Sequence, residues 1–155
     1  MRVIATRNSS REGPAFVDYV GLSNELPKLL GEADIIVNAL PLTSSTAGMF
    51  DRALFARVKP AAYFINVGRG GTVVTDALVE ALESGRLAGA GLDVTDPEPL
   101  PSDHPLWQMS NVIITPHVSW AGADRRLHSM LLRENIRRYL AGDALLNVVD
   151  PERGY

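Results

Sequence analysis

Tyr63-Phe64-Ile65-Asn66-Val67-Gly68-Arg69-Gly70-Gly71 is the stretch whose reading decides the fold. An apolar, β-prone run from Tyr63 to Val67 stops at an arginine set between glycines. In an α/β protein this is a buried parallel strand delivering one cation to its carboxyl edge, where open sheets of this kind bind ligands. Gly68 and Gly70 remove side chains on both sides of Arg69, so backbone and ligand are expected to approach closely there. Taken alone, the stretch also fits a tight strand-to-helix turn with a solvated arginine.

The flanking sequence supplies the other elements. Toward the N-terminus, Asp34 to Leu40 reads as a strand stopped by Pro41, followed by a Thr/Ser-rich loop to Gly48 and a modest helix from Asp51 to Val58. Earlier still, Arg2 to Thr6 is a β-branched run, residues 7–14 are a polar loop, and Phe16 to Val20 is a short strand. Ser23 is the expected N-cap of a short helix with Leu26, Leu29 and Leu30 on its apolar stripe, closing near Gly31. Toward the C-terminus, Thr75 is expected to cap a helix from Asp76 to Ser84, with Gly85 closing it. Gly89 to Val94 is a small-residue strand ending in a carboxylate at Asp93, and the proline-rich loop Asp96 to Pro101 follows. Asn111 to Thr115 is another apolar strand, ending at Pro116-His117. A long helix runs from about Asp124 to Ala141, with Leu127, Leu131, Leu132, Ile136, Tyr139 and Leu140 as its apolar residues. The tail Ala144 to Val149 is apolar, with no following element to cover it. Strands alternating with helices predict a parallel sheet with right-handed crossovers, and place Arg7, Pro41, Arg69, Asp93 and His117 on its carboxyl edge.

The 155 residues, 46% hydrophobic and 21% charged with a formal net charge of −3, fit one ordinary globular domain. A cytoplasmic location is expected, with neither membrane nor nucleic acid as partner. No apolar run approaches the roughly 18 residues of a membrane span. The opening MRVIATRNSS lacks a secretory pattern, and the mild acidity comes without a basic stripe. The absence of cysteine excludes disulfides and thiolate metal sites.

Three edge residues form a chemically coherent set. Arg69 can clamp a carboxylate through two parallel hydrogen bonds. His117 can carry a proton near neutral pH. Glu98, between two prolines, can tune that histidine. Each residue alone also reads as an ordinary surface side chain, and spacing does not bring them together.

Asn66-Val67-Gly68-Arg69-Gly70-Gly71, Gly91-Leu92-Asp93-Val94-Thr95-Asp96-Pro97-Glu98-Pro99-Leu100 and Thr115-Pro116-His117-Val118-Ser119 resemble, in order and spacing, three signature regions of the D-isomer-specific 2-hydroxyacid dehydrogenases. The loop Ala39 to Gly48 is similar to that family as well. The resemblance implies a partial Rossmann-type doubly wound α/β sheet. It also implies that Arg69 holds the substrate carboxylate and polarises the ketone, that His117 exchanges the proton, and that Glu98 orients His117 and favours its protonated form. Asp93 resembles the aspartate that contacts the nicotinamide carboxamide, and Leu40, Pro41, Thr46, Val67 and Gly68 fall where the family lines its cofactor cleft. The implied ligand is a small 2-oxoacid or 2-hydroxyacid, and the implied assembly of the complete protein is a homodimer. Where NAD-specific members end this strand in an acid, Arg7 stands here, followed by Asn8, Ser9, Ser10 and Arg11; NADP(H) is therefore expected over NAD(H).

The sequence departs from that family in one large respect. It holds no Gly-x-Gly-x-x-Gly turn, so the first βαβ phosphate-binding unit is lacking, and with it the helix N-terminus that binds the pyrophosphate. The expected organisation is a partial NAD(P)-binding domain over residues 1–142 and a tail, 143–155, that would return to a substrate domain encoded elsewhere. On this reading the chain is a truncated piece, inactive by itself. The other reading left open is a non-catalytic dinucleotide-binding interaction module of the corepressor kind.

Overall fold

The computed structural model describes residues 1–119 and 125–150. Within them the order is β1 (Ile4–Arg7), β2 (Tyr19–Leu22), α1 (Leu26–Leu30), β3 (Ile35–Asn38), α2 (Arg52–Phe55), β4 (Ala62–Asn66), α3 (Thr75–Glu83), β5 (Leu87–Leu92), β6 (Val112–Ile114) and α4 (Arg125–Ala141). Every strand pairing is parallel, as the alternation predicts. The strands divide into two sheets, β1-β2 and β3-β4-β5-β6. Those orders match the outer places 3-2 and the run from place 4 onward in the doubly wound arrangement. Among the described residues no strand stands at place 1 to join them.

Register explains why β4 is central. Ile35 pairs with Tyr63 and Asn38 with Asn66 on one side, while Asn66 pairs with Leu92 on the other. Alternate side chains of β3 and β4 (Ile36, Asn38, Ala62, Phe64, Asn66) are buried. There Phe50, Phe55 and Phe64 form a ring triad with centroids 5.0 to 6.0 Å apart, joined by Ala77, Leu78, Ala81 and Leu82 of α3. The other face is different. Ile35, Val37, Tyr63 and Ile113 are more than half exposed, so the strand expected to be buried on both faces is covered on one.

α1 links the two sheets. Leu30 lies in the main core, whereas the neighbouring Leu29 reaches β2, where its Cδ1 lies 3.2 Å from the place a Cβ on Gly21 would occupy. Lys59 N–H donates to Leu30 C=O at 3.0 Å.

Several helix ends differ from expectation. Ser23 opens a 3₁₀ turn instead of capping α1, and its hydroxyl turns to Asn8. Thr75 is the first residue of α3; its hydroxyl donates to Asp96 C=O at 2.6 Å, a tertiary bond in place of a cap. Asp51 does cap α2, accepting from Leu54 N–H at 2.8 Å, but the helix ends at Phe55. Gly85, at φ 71°, closes α3 as predicted. The expected helix start at Asp124 lies outside the described residues. Leu127, Leu132, Ile136, Tyr139 and Leu140 of α4 are all at least half exposed. The tail is held to α4 through its backbone: Asn135 bonds both polar groups of Leu146, and Arg138 donates to Ala144 C=O.

Candidate active site

The turn that carries Arg69 is built from three buried polar side chains, Asn38 and Asn66 at the ends of apolar strands and Thr72 in the 3₁₀ turn that follows Arg69. Asn66 Oδ1 accepts from Asn38 Nδ2 and from Gly68 N–H, both at 3.1 Å. Asn66 Nδ2 donates to Arg69 C=O, and Thr72 Oγ1 donates to the same carbonyl at 2.7 Å while accepting from Asn38 Nδ2. Asn38 Oδ1 in turn accepts from Leu40 N–H. The network fixes the backbone on both sides of Arg69, whose exposed side chain donates to Gly68 C=O at 2.8 Å.

The glycines here make room for the chain itself. A Cβ on Gly68 would sit 2.6 Å from Leu40 C=O, and one on Gly70 would fall on the Thr95 carbonyl. The approach expected between backbone and ligand is thus made by the β3 and β5 loops. It presses the Thr95–Asp96 segment, just before Glu98, against the Arg69 turn.

Glu98 and His117 meet. His117 Nδ1 lies 2.8 Å from Glu98 Oε1, both side chains being a little over two-fifths exposed. A carboxylate only accepts, so the proton of that bond belongs to Nδ1. The peptide bonds Asp96–Pro97 and Glu98–Pro99 are both cis. His117 has φ 53°, in the left-handed region.

Asp93 is buried at 5% exposure. Burial pushes its carboxyl up, but hydrogen bonds from Thr115 Oγ1, from the Ser119 amide and hydroxyl and from Val118 N–H push it down further, so it lies well below the ordinary carboxylate range.

The residues expected to line the cofactor cleft follow the same edge. Leu40 and Pro41 are half-buried where β3 ends, Val67 is exposed and Gly68 is buried beside them. Thr46 is 8% exposed; its hydroxyl donates to Pro41 C=O at 2.6 Å and accepts from Thr43 N–H at 2.8 Å, which closes the loop on itself. Arg7 ends β1 on the other sheet. Its guanidinium donates to Glu12 C=O, and among the described residues it has no carboxylate in ion-pair range. Arg11 contrasts with it: Glu25 binds it at 2.7 Å, and Tyr19 OH bridges the two. An uncompensated cation at the end of β1 fits a ribose 2′-phosphate, whereas nothing in the sequence supplies the pyrophosphate turn.

The fold thus brings the ends of β3, β4, β5 and β6 side by side and joins Glu98 to His117. Arg69 shares that edge without a direct bond to either. The sequence did not single out Asn38, Asn66, Thr72 or Glu25. For the asparagines the signal was present: polar residues closing apolar strands, whose pairing register determines that they meet.

The family described as D-isomer specific 2-hydroxyacid dehydrogenase, NAD binding domain, matches residues 1–119. A glyoxylate reductase/hydroxypyruvate reductase of Homo sapiens is 42% identical over 120 residues, 77% of this chain and 37% of that protein. Glyoxylate/hydroxypyruvate reductase B of Salmonella newport is 43% identical over 129 residues, 83% of this chain and 40% of the relative. Among solved structures, an NADPH-dependent glyoxylate/hydroxypyruvate reductase from Sinorhizobium meliloti, in complex with NADP and sulfate, superposes with a TM-score of 0.89 at 39% identity, over 99% of this chain and 49% of the other. The chain spans about half the length, or less, of the curated relatives it matches. Because the match runs from residue 1 to two residues past His117, every strand end described above falls within it, and the chain belongs to the D-isomer specific 2-hydroxyacid dehydrogenase family through its NAD binding domain.

Proposed function

We propose that this chain supplies the nicotinamide-facing half of a reductase that interconverts small 2-oxoacids and D-2-hydroxyacids, with NADP(H) preferred to NAD(H). The observation that carries this reading is the 2.8 Å bond between His117 and Glu98 on the edge that also presents Arg69. Arg69 holds the substrate carboxylate through its planar fork. His117 gives the proton on Nε2 to the ketone oxygen, and takes it back in the oxidative direction, while Glu98 holds Nδ1–H and so keeps the ring oriented. The nicotinamide, when bound, supplies the hydride. Leu40, Pro41, Thr46, Val67 and Gly68 wall its cleft.

The preference for NADP(H) is supported by Arg7 and by two neighbours solved with that cofactor, the Sinorhizobium meliloti reductase and a Xanthobacter autotrophicus dehydrogenase in complex with NADPH and MES. The names of the relatives favour glyoxylate and hydroxypyruvate as substrates. The missing Gly-x-Gly-x-x-Gly turn means that turnover needs a partner segment carrying it. We read residues 1–142 as the cofactor domain, 143–155 as a return to a substrate domain, and the working form as a cytoplasmic homodimer.

The test is NADPH oxidation with glyoxylate and hydroxypyruvate, by the 155-residue chain alone and mixed with the N-terminal half of the Sinorhizobium meliloti reductase. We expect turnover only in the mixture, falling by about 10²–10⁴ on His117→Gln. Turnover indifferent to His117 would overturn the mechanism.

A further inference from the structure

Arg69 C=O accepts three hydrogen bonds: from Thr72 Oγ1 at 2.7 Å, from Thr72 N–H at 3.2 Å and from Asn66 Nδ2 at 3.3 Å. A carbonyl oxygen has two lone pairs, so this acceptor is fully used. The peptide group that carries Arg69 is thus pinned, while the side chain beyond it is exposed. Two of the three donors belong to side chains, and both of those side chains answer to Asn38.

The backbone settles which way each amide faces. Gly68 N–H and Leu40 N–H can only donate, so the atoms they meet on Asn66 and Asn38 are oxygens. That turns Asn66 Nδ2 to Arg69 C=O, and Asn38 Nδ2 to both Asn66 Oδ1 at 3.1 Å and Thr72 Oγ1 at 2.7 Å. Because the Thr72 hydroxyl accepts from Asn38, its own proton is directed to Arg69 C=O. Asn38, Asn66 and Thr72 are 2%, 1% and 0% exposed, so water does not compete for these bonds. Among the described residues the Asn38 side chain bonds neither Arg69 nor the residues on either side of it.

We infer that Asn38 is a positioning residue for the proposed reaction: its amide nitrogen sets the polarity of Asn66 and Thr72, which together aim the Arg69 turn at the substrate carboxylate. It acts through those two side chains, from the neighbouring strand. The inference rests on the assignment of Arg69 as the carboxylate clamp, and it names the buried group that holds that clamp in place.

Asn38→Asp is the informative change, because it keeps the shape and the oxygen facing Leu40 N–H but puts an oxygen where Nδ2 stood. In either protonation state it supplies at most one of the two donors. The Thr72 hydroxyl then turns to it and leaves Arg69 C=O, or Asn66 Oδ1 meets a second acceptor. The first readout is the Arg69 carbonyl ¹³C shift in the 155-residue chain, which moves upfield as that oxygen loses hydrogen bonds. We expect this shift in Asn38→Asp while the amide signals of α3 and β5 stay in place. The second readout uses the mixture with the N-terminal half of the Sinorhizobium meliloti reductase. There KM for glyoxylate should rise roughly tenfold, as one weakened hydrogen bond of the fork implies, and KM for NADPH should hold. An amide that merely stabilises the fold would lower the urea midpoint and move neither readout. Should Asn38→Asp fail to fold, Thr72→Val removes the hydroxyl that relays half of the effect, and a smaller upfield shift is expected. An Arg69 carbonyl unmoved in the folded variant overturns the inference, as does a glyoxylate KM unmoved where Arg69→Gln raises it. Absence of turnover from every mixture would overturn the reductase reading alone, since the carbonyl shift needs neither cofactor nor substrate and still decides this one.

Discussion

Arg7, at the end of β1, and Arg11, in the loop that follows, sit four positions apart and have different fates. Glu25 accepts hydrogen bonds from Tyr19 OH, Leu22 N–H and Arg11, which hold its carboxyl down to about 2, and Arg11 is correspondingly committed. Among the described residues Arg7 donates only to a carbonyl, and it keeps its charge available. Arg7→Ala should therefore weaken binding of adenosine 2′,5′-bisphosphate by roughly 10- to 100-fold, the worth of one or two charge-assisted hydrogen bonds. Arg11→Ala should have a far smaller effect, and calorimetric titration of both variants distinguishes them. Equal losses would mean that Glu25 does not withhold Arg11. At this scale residue type and position marked Arg69, Glu98 and His117 as candidates, and the structure joins two of them, Glu98 and His117. Asn66 was not marked, because its value depends on Asn38 standing opposite. Asn66→Ala leaves Gly68 N–H and one of the two N–H groups of the buried Asn38 amide without their acceptor, and should lower stability by about 1–3 kcal/mol for each group left unsatisfied, measured by urea denaturation.

Among the elements, two glycines show why similar letters mean different things. Gly85 has φ 71° with open space around it, so Gly85→Ala meets only backbone strain, on the order of 1 kcal/mol. Gly70 is needed because the Thr95 carbonyl occupies the place of its Cβ. Gly70→Ala must part the Arg69 turn from the loop leading to Glu98. It should cost about 1–3 kcal/mol or more by overpacking, and should disturb His117 shifts that Gly85→Ala leaves alone. The sequence showed a C′ glycine at 85 because helix periodicity ends there. It could not show what lies against residue 70, which is set by a segment 25 positions away. The same limit explains Thr75 and α4. A Thr before a helix reads as a cap until a tertiary acceptor, Asp96 C=O, proves the better partner. Periodicity gives α4 an apolar stripe without saying what covers it.

For the molecule as a whole, acid is the informative perturbation. Asp93, Glu25, Glu80 and Glu134 all have carboxyls held below their ordinary values, Glu25 and Glu134 to about 2. A carboxyl depressed in the folded state stabilises it fully above the unfolded pKa, near 4, and loses that contribution as pH falls toward the folded value. The urea midpoint should thus hold from pH 7 to about 5 and fall steadily below 4. Most of the loss should disappear in Asp93→Asn, because the other three carboxyls are solvated and their ion pairs are screened. A midpoint that rises on acidification would contradict this assignment.

The division of the strands into β1-β2 and β3-β4-β5-β6 also has a consequence for how the molecule opens. A two-stranded sheet has little stability of its own, and this one is tethered to the larger core mainly through α1. The two parts should behave as separate cooperative units, with a low-energy opening that frees β1, β2 and the Arg7 loop while the Phe64 core stays shut. Native-state hydrogen exchange should accordingly show two families of protection, the amides of residues 4–7 and 19–22 exchanging well before those of 62–66 and 87–92. A ligand bridging Arg7 to the β4 edge would merge the two families, so the spread between them measures how much of the nucleotide site is assembled.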